Sequence, residues 1–408
     1  MTIGSATPSV GLDDVHAART NLRDVAEHTP IVRSAALTEA VGGPVVLKAE
    51  NLQRTGSFKL RGVLNKLATL GPAAANGVTA GSAGNHAQAL AFAARHAGVP
   101  CEIFVPAGAP VTKVEACRYY GASVVEDGVS LDEAMTGARS RATEAGMAFC
   151  HPFDDPAVVA GQGTLGLELV ESVEDLALVV VPLGGGGLAS GVAIAVKSLR
   201  PDVVVIGVQA AVCAPYAGAQ PPTGGVVTLA DGIAVKRPGE LTAPLVKRWL
   251  DDVVTVGEDA IADAMVMLMD RAKLCVEGAG AVGVAALRTA AVAPAERGTT
   301  CVVLSGGNVD LGVLPGLIQR HETQAGRRLV LFALIDDRPG GLASFLSVFA
   351  DAGANLVEVD HKREGVDLHV RQTGVHATFE VRSAEHGHAV IEAARAAGYD
   401  DLDVEPAH

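Results

Sequence analysis

Leu178-Val179-Val180-Val181-Pro182-Leu183-Gly184-Gly185-Gly186-Gly187-Leu188 is the stretch from which the fold class can be read. It opens on an unbroken apolar run, the pattern of a strand buried on both faces of a parallel sheet. Four glycines follow, and Ala189 to Leu199 then carries helical spacing. Strand, bare loop and helix in that order form the repeating unit of an α/β fold. The glycines matter because backbone N–H groups at a helix N-terminus can cradle a phosphate only where no Cβ blocks its approach. The uncharged run from Leu176 to Val196 could pass for a membrane span, but Pro182 and the glycines interrupt it.

The same alternation continues on both sides. Leu12 to Thr29 has helical spacing and stops before Pro30, and residues 44–50 read as a strand leading to a lysine loop. Val78 to Ala80, Cys101 to Val105 and Ser123 to Glu126 read as strands, with helices at Ala87 to His96 and Val111 to Tyr120 between them. A second series across 158–308 has apolar strands at Val203 to Val208 and Cys301 to Leu304. Two α/β halves with a ligand at the carboxyl ends of their strands are expected. Residues 321–329 are polar and mark a boundary. After them come a strand (Leu329 to Ile335), a turn, a helix (Leu342 to Asp351), a strand from Asn355 to Val359, a strand from His376 and a helix from Ala389. That is a small α+β unit. The expected division is a catalytic region over 1–320, with a smaller α/β subdomain at about 52–150 nested in it, and a separate unit over 326–408.

At 408 residues the chain is long enough for two or three domains. Its 49% hydrophobic content with only 3% aromatic residues means a core of Ala, Val and Leu. A formal charge of −14 repels phosphate backbones and anionic lipid, so neither nucleic acid nor membrane is an expected partner. The six cysteines (Cys101, Cys117, Cys150, Cys213, Cys275, Cys301) have no metal or redox spacing and read as reduced core thiols. Met1 to Gly11 has no basic or apolar segment of a secretion signal, and a cytoplasmic location is expected.

Lys59 stands out in Gly56-Ser57-Phe58-Lys59-Leu60-Arg61-Gly62, because its neighbours look buried. Burial lowers a lysine's proton affinity and makes the amine a usable nucleophile near neutral pH. Two glycine patterns, Gly161 to Gly166 and Gly278 to Gly283, satisfy a dinucleotide fingerprint by spacing alone. Neither clearly follows a buried strand, so dinucleotide binding is not expected.

Four segments in order, Ser57-Phe58-Lys59-Leu60-Arg61-Gly62, Ser82-Ala83-Gly84-Asn85-His86, Gly184 to Leu188 and Ser305-Gly306-Gly307-Asn308, resemble the threonine dehydratase (threonine ammonia-lyase) branch of the pyridoxal-phosphate enzymes. The resemblance implies a two-domain tryptophan synthase β-like fold and pyridoxal 5'-phosphate as cofactor. The order of elements after residue 326 is similar to a single ACT-type amino-acid-sensing domain. By resemblance, Lys59 holds the cofactor as a Schiff base and, once displaced by substrate, takes the Cα proton. Phe58 lies against the cofactor ring, Gly184, Gly185, Gly186, Gly187 and Leu188 hold the phosphate, and Asn85 bonds the phenolic oxygen. Ser305 faces the pyridine nitrogen, and Glu277 stands near the cofactor, although Gly278 replaces the proline more usual after it. A hydroxyl at the pyridine nitrogen leaves the ring unprotonated, which favours β-elimination over transamination. Ser82, Ala83, Gly84, Asn85 and His86 are expected around the substrate carboxylate, although His86 reads first as a helix-start residue with no chemistry.

Racemases of this fold carry a serine where this chain has Ala83, and a glutamate and aspartate for a divalent cation where it has Gln209 and Pro215. Racemisation and a metal are therefore not expected. The β-replacement enzymes have Asp-Arg after the lysine where this chain has Leu60-Arg61. The expected reaction is dehydration and deamination of L-threonine to 2-oxobutanoate, with L-serine as a second substrate. A non-catalytic amino-acid sensor is the rival from another class. Feedback by isoleucine bound near Asp337, Gly340, Gly341 and Asn355 is the expectation for the C-terminal unit, in a homodimer or homotetramer.

Overall fold

The computed structural model describes residues 10–363 and 371–404. The chain forms two compact units, Met1–Val309 and Asp310–His408. Helix Leu314–Gln324, through which the expected boundary at 320 passes, therefore lies with the second unit.

The first unit holds two sheets. The larger contains β1 (Ile31–Arg33), β2 (Val45–Ala49), β7 (Leu176–Pro182), β8 (Val204–Ala210), β9 (Asp252–Val256) and β10 (Thr299–Leu304) in the order β1-β2-β10-β7-β8-β9. All its pairings are parallel except β1 with β2. The smaller contains β3 (Val78–Gly81), β4 (Cys101–Val105), β5 (Ser123–Glu126) and β6 (Ala148–Phe149) in the order β5-β4-β3-β6, all parallel. β2 and β10 are buried at every residue, as strands covered on both faces must be. The core is Val, Ala and Leu throughout, in line with the low aromatic content. Of the six cysteines, all free, Cys275 is exposed, which corrects the expectation that all are core thiols.

Three helices, Lys59–Leu70, Pro156–Ser172 and Gly187–Leu199, pack at close range. The closeness depends on small residues. A Cβ on Gly161 would lie 2.6 Å from the Arg61 carbonyl oxygen, and one on Gly163 would lie 3.0 Å from that of Gly191. Gly161 to Gly166 thus sits in mid-helix, where its glycines admit neighbouring backbone rather than a dinucleotide. Gly278 to Gly283 likewise opens the helix Gly278–Arg288, and Gly278 packs against the Leu229 carbonyl.

The second unit contains β11 (Arg328–Asp336), helix Gly341–Asp351, β12 (Asn355–Lys362), β13 (Gln372–Glu380), helix Ala384–Ala396 and β14 (Leu402–Val404). The sheet order β12-β13-β11-β14, all antiparallel, is the split βαβ arrangement. Its core is built on Phe345, Phe349 and Phe379, with the rings of Phe349 and Phe379 stacked at 4.4 Å.

Gly161→Ala is expected to destabilise the first unit by about 1–3 kcal/mol through overpacking against Arg61. Thermal unfolding read by circular dichroism checks this, and a Tm equal to that of the unchanged chain would show that the helices can part to admit a methyl group.

Candidate active site

Segments that follow β2, β3, β7 and β10 carry most of the site residues singled out by the sequence, and Glu277 stands ahead of the helix Gly278–Arg288. Ser305 follows β10, and Ser57 forms an antiparallel bridge with Gly306. The Phe58 N–H donates to the Ser305 carbonyl oxygen at 3.0 Å, which pins the start of the helix Lys59–Leu70 to the end of the central strand. Lys59 Nζ donates to the Pro152 carbonyl oxygen at 2.9 Å and lies 5.1 Å from the centre of the Phe58 ring. Burial of the amine pulls its pKa down to about 8, with the Glu277 carboxylate opposing the shift. A lysine so placed has a substantial fraction of free amine at physiological pH.

Two residues on, Arg61 is 1% exposed and completes a buried network. Its guanidinium donates to Glu50 through Nε and Nη2, both at 2.8 Å, and to Glu168 through Nη1 at 2.6 Å and Nη2 at 2.9 Å. Lys48 Nζ donates to Glu168 at 2.5 Å and to the Thr29 carbonyl oxygen at 2.6 Å. The Thr29 hydroxyl donates to Glu50. Burial alone would lower the affinity of Arg61 for its proton, but the two carboxylates outweigh it and hold the residue well above its ordinary value. Glu168, bonded to both Lys48 and Arg61, is a structural carboxylate.

Asn85 opens the helix Asn85–Ala97 after β3. Its Nδ2 donates to Glu277 Oε1 at 2.7 Å, and its Oδ1 accepts from Asn308 Nδ2 at 2.7 Å. One amide hydrogen of Asn85 is left for a further acceptor. Glu277 is 6% exposed, and burial, reinforced by Asp231, pushes its pKa up to about 7. The Gly84 N–H is turned toward the Ser82 hydroxyl at 3.3 Å, while Ala83 offers only a methyl group. His86 is buried with Nε2 2.9 Å from the Cys150 carbonyl oxygen, and burial together with the Lys59 charge lowers its pKa to about 3. His86 is therefore a neutral ring fixed to backbone, the helix-start reading.

Gly184 and Gly185 link β7 to the helix Gly187–Leu199, with Gly186 as its N-cap at φ +94°, a conformation that glycine alone adopts without strain. A Cβ on Gly184 would sit 2.8 Å from Ile233 Cα, and one on Gly185 would run into the Phe153 ring. The first N–H groups of that helix have no intrahelical acceptor. In its first turn Ser190 carries a buried hydroxyl that finds no partner among the described residues, as does Ser57 beside Lys59. A desolvated amine, bare N–H groups at a helix start, unpartnered hydroxyls and the buried Ser305 fit an aldehyde cofactor that bears a phosphate.

Residues 22–306 match the family described as pyridoxal-phosphate dependent enzymes. The chain belongs to that family. It is 41% identical over 397 residues to the L-threonine ammonia-lyase of Thermotoga maritima, an alignment that covers 96% of this chain and 98% of the relative. Among solved structures it is similar to the T.th. threonine deaminase (TM-score 0.69, 39% identity, 74% of this chain and 99% of that one). It is also similar to maize serine racemase (TM-score 0.72, 33% identity, 77% of this chain and 98% of that one). As in other family members, the cofactor is pyridoxal 5'-phosphate. No helix among the described residues is long and apolar enough to cross a membrane.

Other residues fall into place around this site. Gln209 donates to the Leu183 carbonyl oxygen at 3.2 Å and accepts from Tyr216 N–H at 2.9 Å, so its amide is spent on holding the turn that Pro215 opens. In the second unit Asp337 and Gly340 line a cavity of about 390 Å³ with Ile335, Leu342, Leu346 and Arg363. Asn355 does not join them; it lines a neighbouring depression and donates to Glu380 at 2.9 Å. Sequence reasoning missed Asn308 as the partner of Asn85, although it ends a quoted motif, and Asp154, whose role needs the fold to be seen.

The rate at which Lys59 of the cofactor-free chain takes up the aldehyde is expected to rise with pH through an apparent pKa near 8. Glu277→Gln removes the carboxylate that favours the ammonium and shifts the profile to lower pH. Absorbance-monitored reconstitution between pH 6 and pH 10 checks this, and a shift to higher pH would contradict the assignment of Glu277.

Proposed function

We propose that the protein is an L-threonine ammonia-lyase, converting L-threonine to 2-oxobutanoate and ammonia, with L-serine giving pyruvate as a secondary activity. The observation that carries this reading is the Lys59 amine, with its pKa of about 8, in a chain that matches an L-threonine ammonia-lyase along nearly its whole length. When bound, pyridoxal 5'-phosphate supplies an electron sink for the Cα of the substrate. Lys59 would hold the cofactor through its amine and, once freed by the substrate, would take the α-proton, for which a free amine is required. Gly184, Gly185, Gly186, Gly187 and Leu188 would hold the cofactor's phosphate through backbone N–H groups, and Ser305 would be the partner of its pyridine nitrogen. Phe58 would flank its ring, and Asn85, oriented by Glu277 and Asn308, would donate its remaining N–H to the phenolic oxygen. Ser82, Gly84 and the start of the helix at Asn85 receive the substrate carboxylate. Ala83 has no proton to deliver to the opposite face of Cα, so loss of the β-hydroxyl rather than racemisation follows.

The second unit serves as an ACT-like sensor of isoleucine or another branched amino acid. What supports this is its split βαβ topology and a cavity that pairs apolar walls (Ile335, Leu342, Leu346) with Asp337 and Arg363. An effector acts there only by binding two states of the enzyme unequally. The reading places the enzyme at the first step of isoleucine biosynthesis, in the cytoplasm, as a homo-oligomer.

Lys59→Ala is expected to lower 2-oxobutanoate formation by about 10³-fold or more. A 2-oxo acid assay on the purified chain with added L-threonine checks this, and a variant that keeps the wild-type rate would end the lyase reading. Ala343→Trp, which fills the cavity from the helix Gly341–Asp351, is expected to remove the change in rate on adding isoleucine. A response equal to that of the unchanged chain would place the effector elsewhere.

A further inference from the structure

The carbonyl oxygen of Gly185 accepts two hydroxyl hydrogen bonds, from Thr242 Oγ1 at 2.6 Å and from Tyr216 Oη at 3.1 Å. Both lone pairs of the carbonyl are thereby used. A trans peptide is planar, with its C=O and the following N–H on opposite sides, so whatever fixes Gly185 O also fixes the direction of the Gly186 N–H. The hydroxyls also fill the outer side of the loop. A Cβ on Gly186 would meet Tyr216 Oη at 2.7 Å and Thr242 Cβ at 2.9 Å.

Each hydroxyl is aimed in turn by a buried or capping group. Asp154 accepts the backbone N–H of Glu240, Leu241 and Thr242, each at 3.0 Å, and so caps the helix Thr242–Trp249 at the residue that carries the donor. The Thr242 hydroxyl lies 3.3 Å from Asp154 Oδ1 but 2.6 Å from Gly185 O, and its one proton goes to the nearer acceptor. Tyr216 is set by its N–H to Gln209, whose amide also grips the Leu183 carbonyl just ahead of the glycines.

Asp154 sits in a segment that also reaches the amine. Pro152 O accepts from Lys59 Nζ, the Phe153 ring lies under Gly185, and Asp155 pairs with Lys66 at 2.6 Å. The spacing between the amine and the glycine loop is therefore set by consecutive residues of one short stretch.

We propose that Asp154, Thr242 and Tyr216 are positioning residues that lock the Gly185–Gly186 peptide so that its N–H faces the bound phosphate. This rests on the reading of the glycine loop as the phosphate cradle. The Thr242 and Tyr216 hydroxyls act on the glycine loop and not on the Lys59 amine, and that asymmetry makes the lock testable.

The full-length chain, freed of cofactor, is titrated with pyridoxal 5'-phosphate and separately with pyridoxal, which has the same aldehyde and no phosphate. Thr242→Val is expected to weaken binding of pyridoxal 5'-phosphate by about tenfold, the worth of one aligned hydrogen bond, and to change pyridoxal binding by less than about twofold. Thr242→Ser restores the donor and the affinity, and the phosphorus-31 resonance of the bound cofactor moves in the valine variant alone. Tyr216→Phe, which keeps the ring, shifts phosphate-dependent affinity in the same direction and by less, because its bond is the longer. Equal losses for both ligands in Thr242→Val, or a loss for neither, would overturn the lock. An unchanged chain that binds pyridoxal as tightly as its phosphate ester would instead refute the cradle itself, and the lock with it.

Discussion

Three buried charges, Lys48, Glu50 and Arg61, with the half-buried Glu168, hold the first unit's active region in one geometry. Removing an ion from water costs several kcal/mol, and these side chains recover that cost only because their charges cancel and their hydrogen bonds are nearly saturated. The group joins β2, the turn that follows it, the helix that begins at Lys59 and the helix Pro156–Ser172. Neutralising Arg61 would leave Glu50 without its cation, a loss of about 3–5 kcal/mol. Arg61 lies two residues from Lys59 on the same helix, so the backbone that carries the amine is tied to the charge group.

Around the amine itself the electrostatics are balanced rather than uniformly attractive. Burial lowers the proton affinity of Lys59, His86 and His151, and the two imidazoles are neutral at physiological pH as a result. Neutral rings add no repulsion of their own, while Glu277 pulls the amine back toward its charged form. Glu277 is in turn held near neutrality in its own titration by burial and by the Asp231 charge. Small displacements in this cluster therefore change proton ownership as well as distance.

Much of this was legible in the sequence because the chemistry lies on short local patterns. The glycine run after an apolar strand, the loop around Lys59 and the Ser305 turn each sit where the carboxyl ends of parallel strands converge, and the elements β4 and β5 begin and end where the pattern places them. What stayed hidden depends on long-range geometry. Nothing local connects Glu50 with Glu168, or Asn308 with Asn85, because each pair meets only after the sheets form. Gly161 and Gly163 carry a nucleotide-like spacing, yet their meaning is set by the backbone of two other helices. β14 is three residues long and leaves no periodic trace, and Asn355 is separated from Asp337 by a side-chain contact to Glu380 that spacing cannot reveal.

The central strand of the larger sheet is the last one of its unit to be made. β10 pairs with β2 on one side and β7 on the other, so strands from opposite ends of the unit meet only through it. On the ribosome the earlier strands must wait with an open seam between β2 and β7 until residue 304 has emerged, exposing apolar edges that can pair with other chains. Such non-local closure folds slowly. The strand that ends just before Ser305 thus also sets the moment at which the nascent enzyme becomes safe from aggregation.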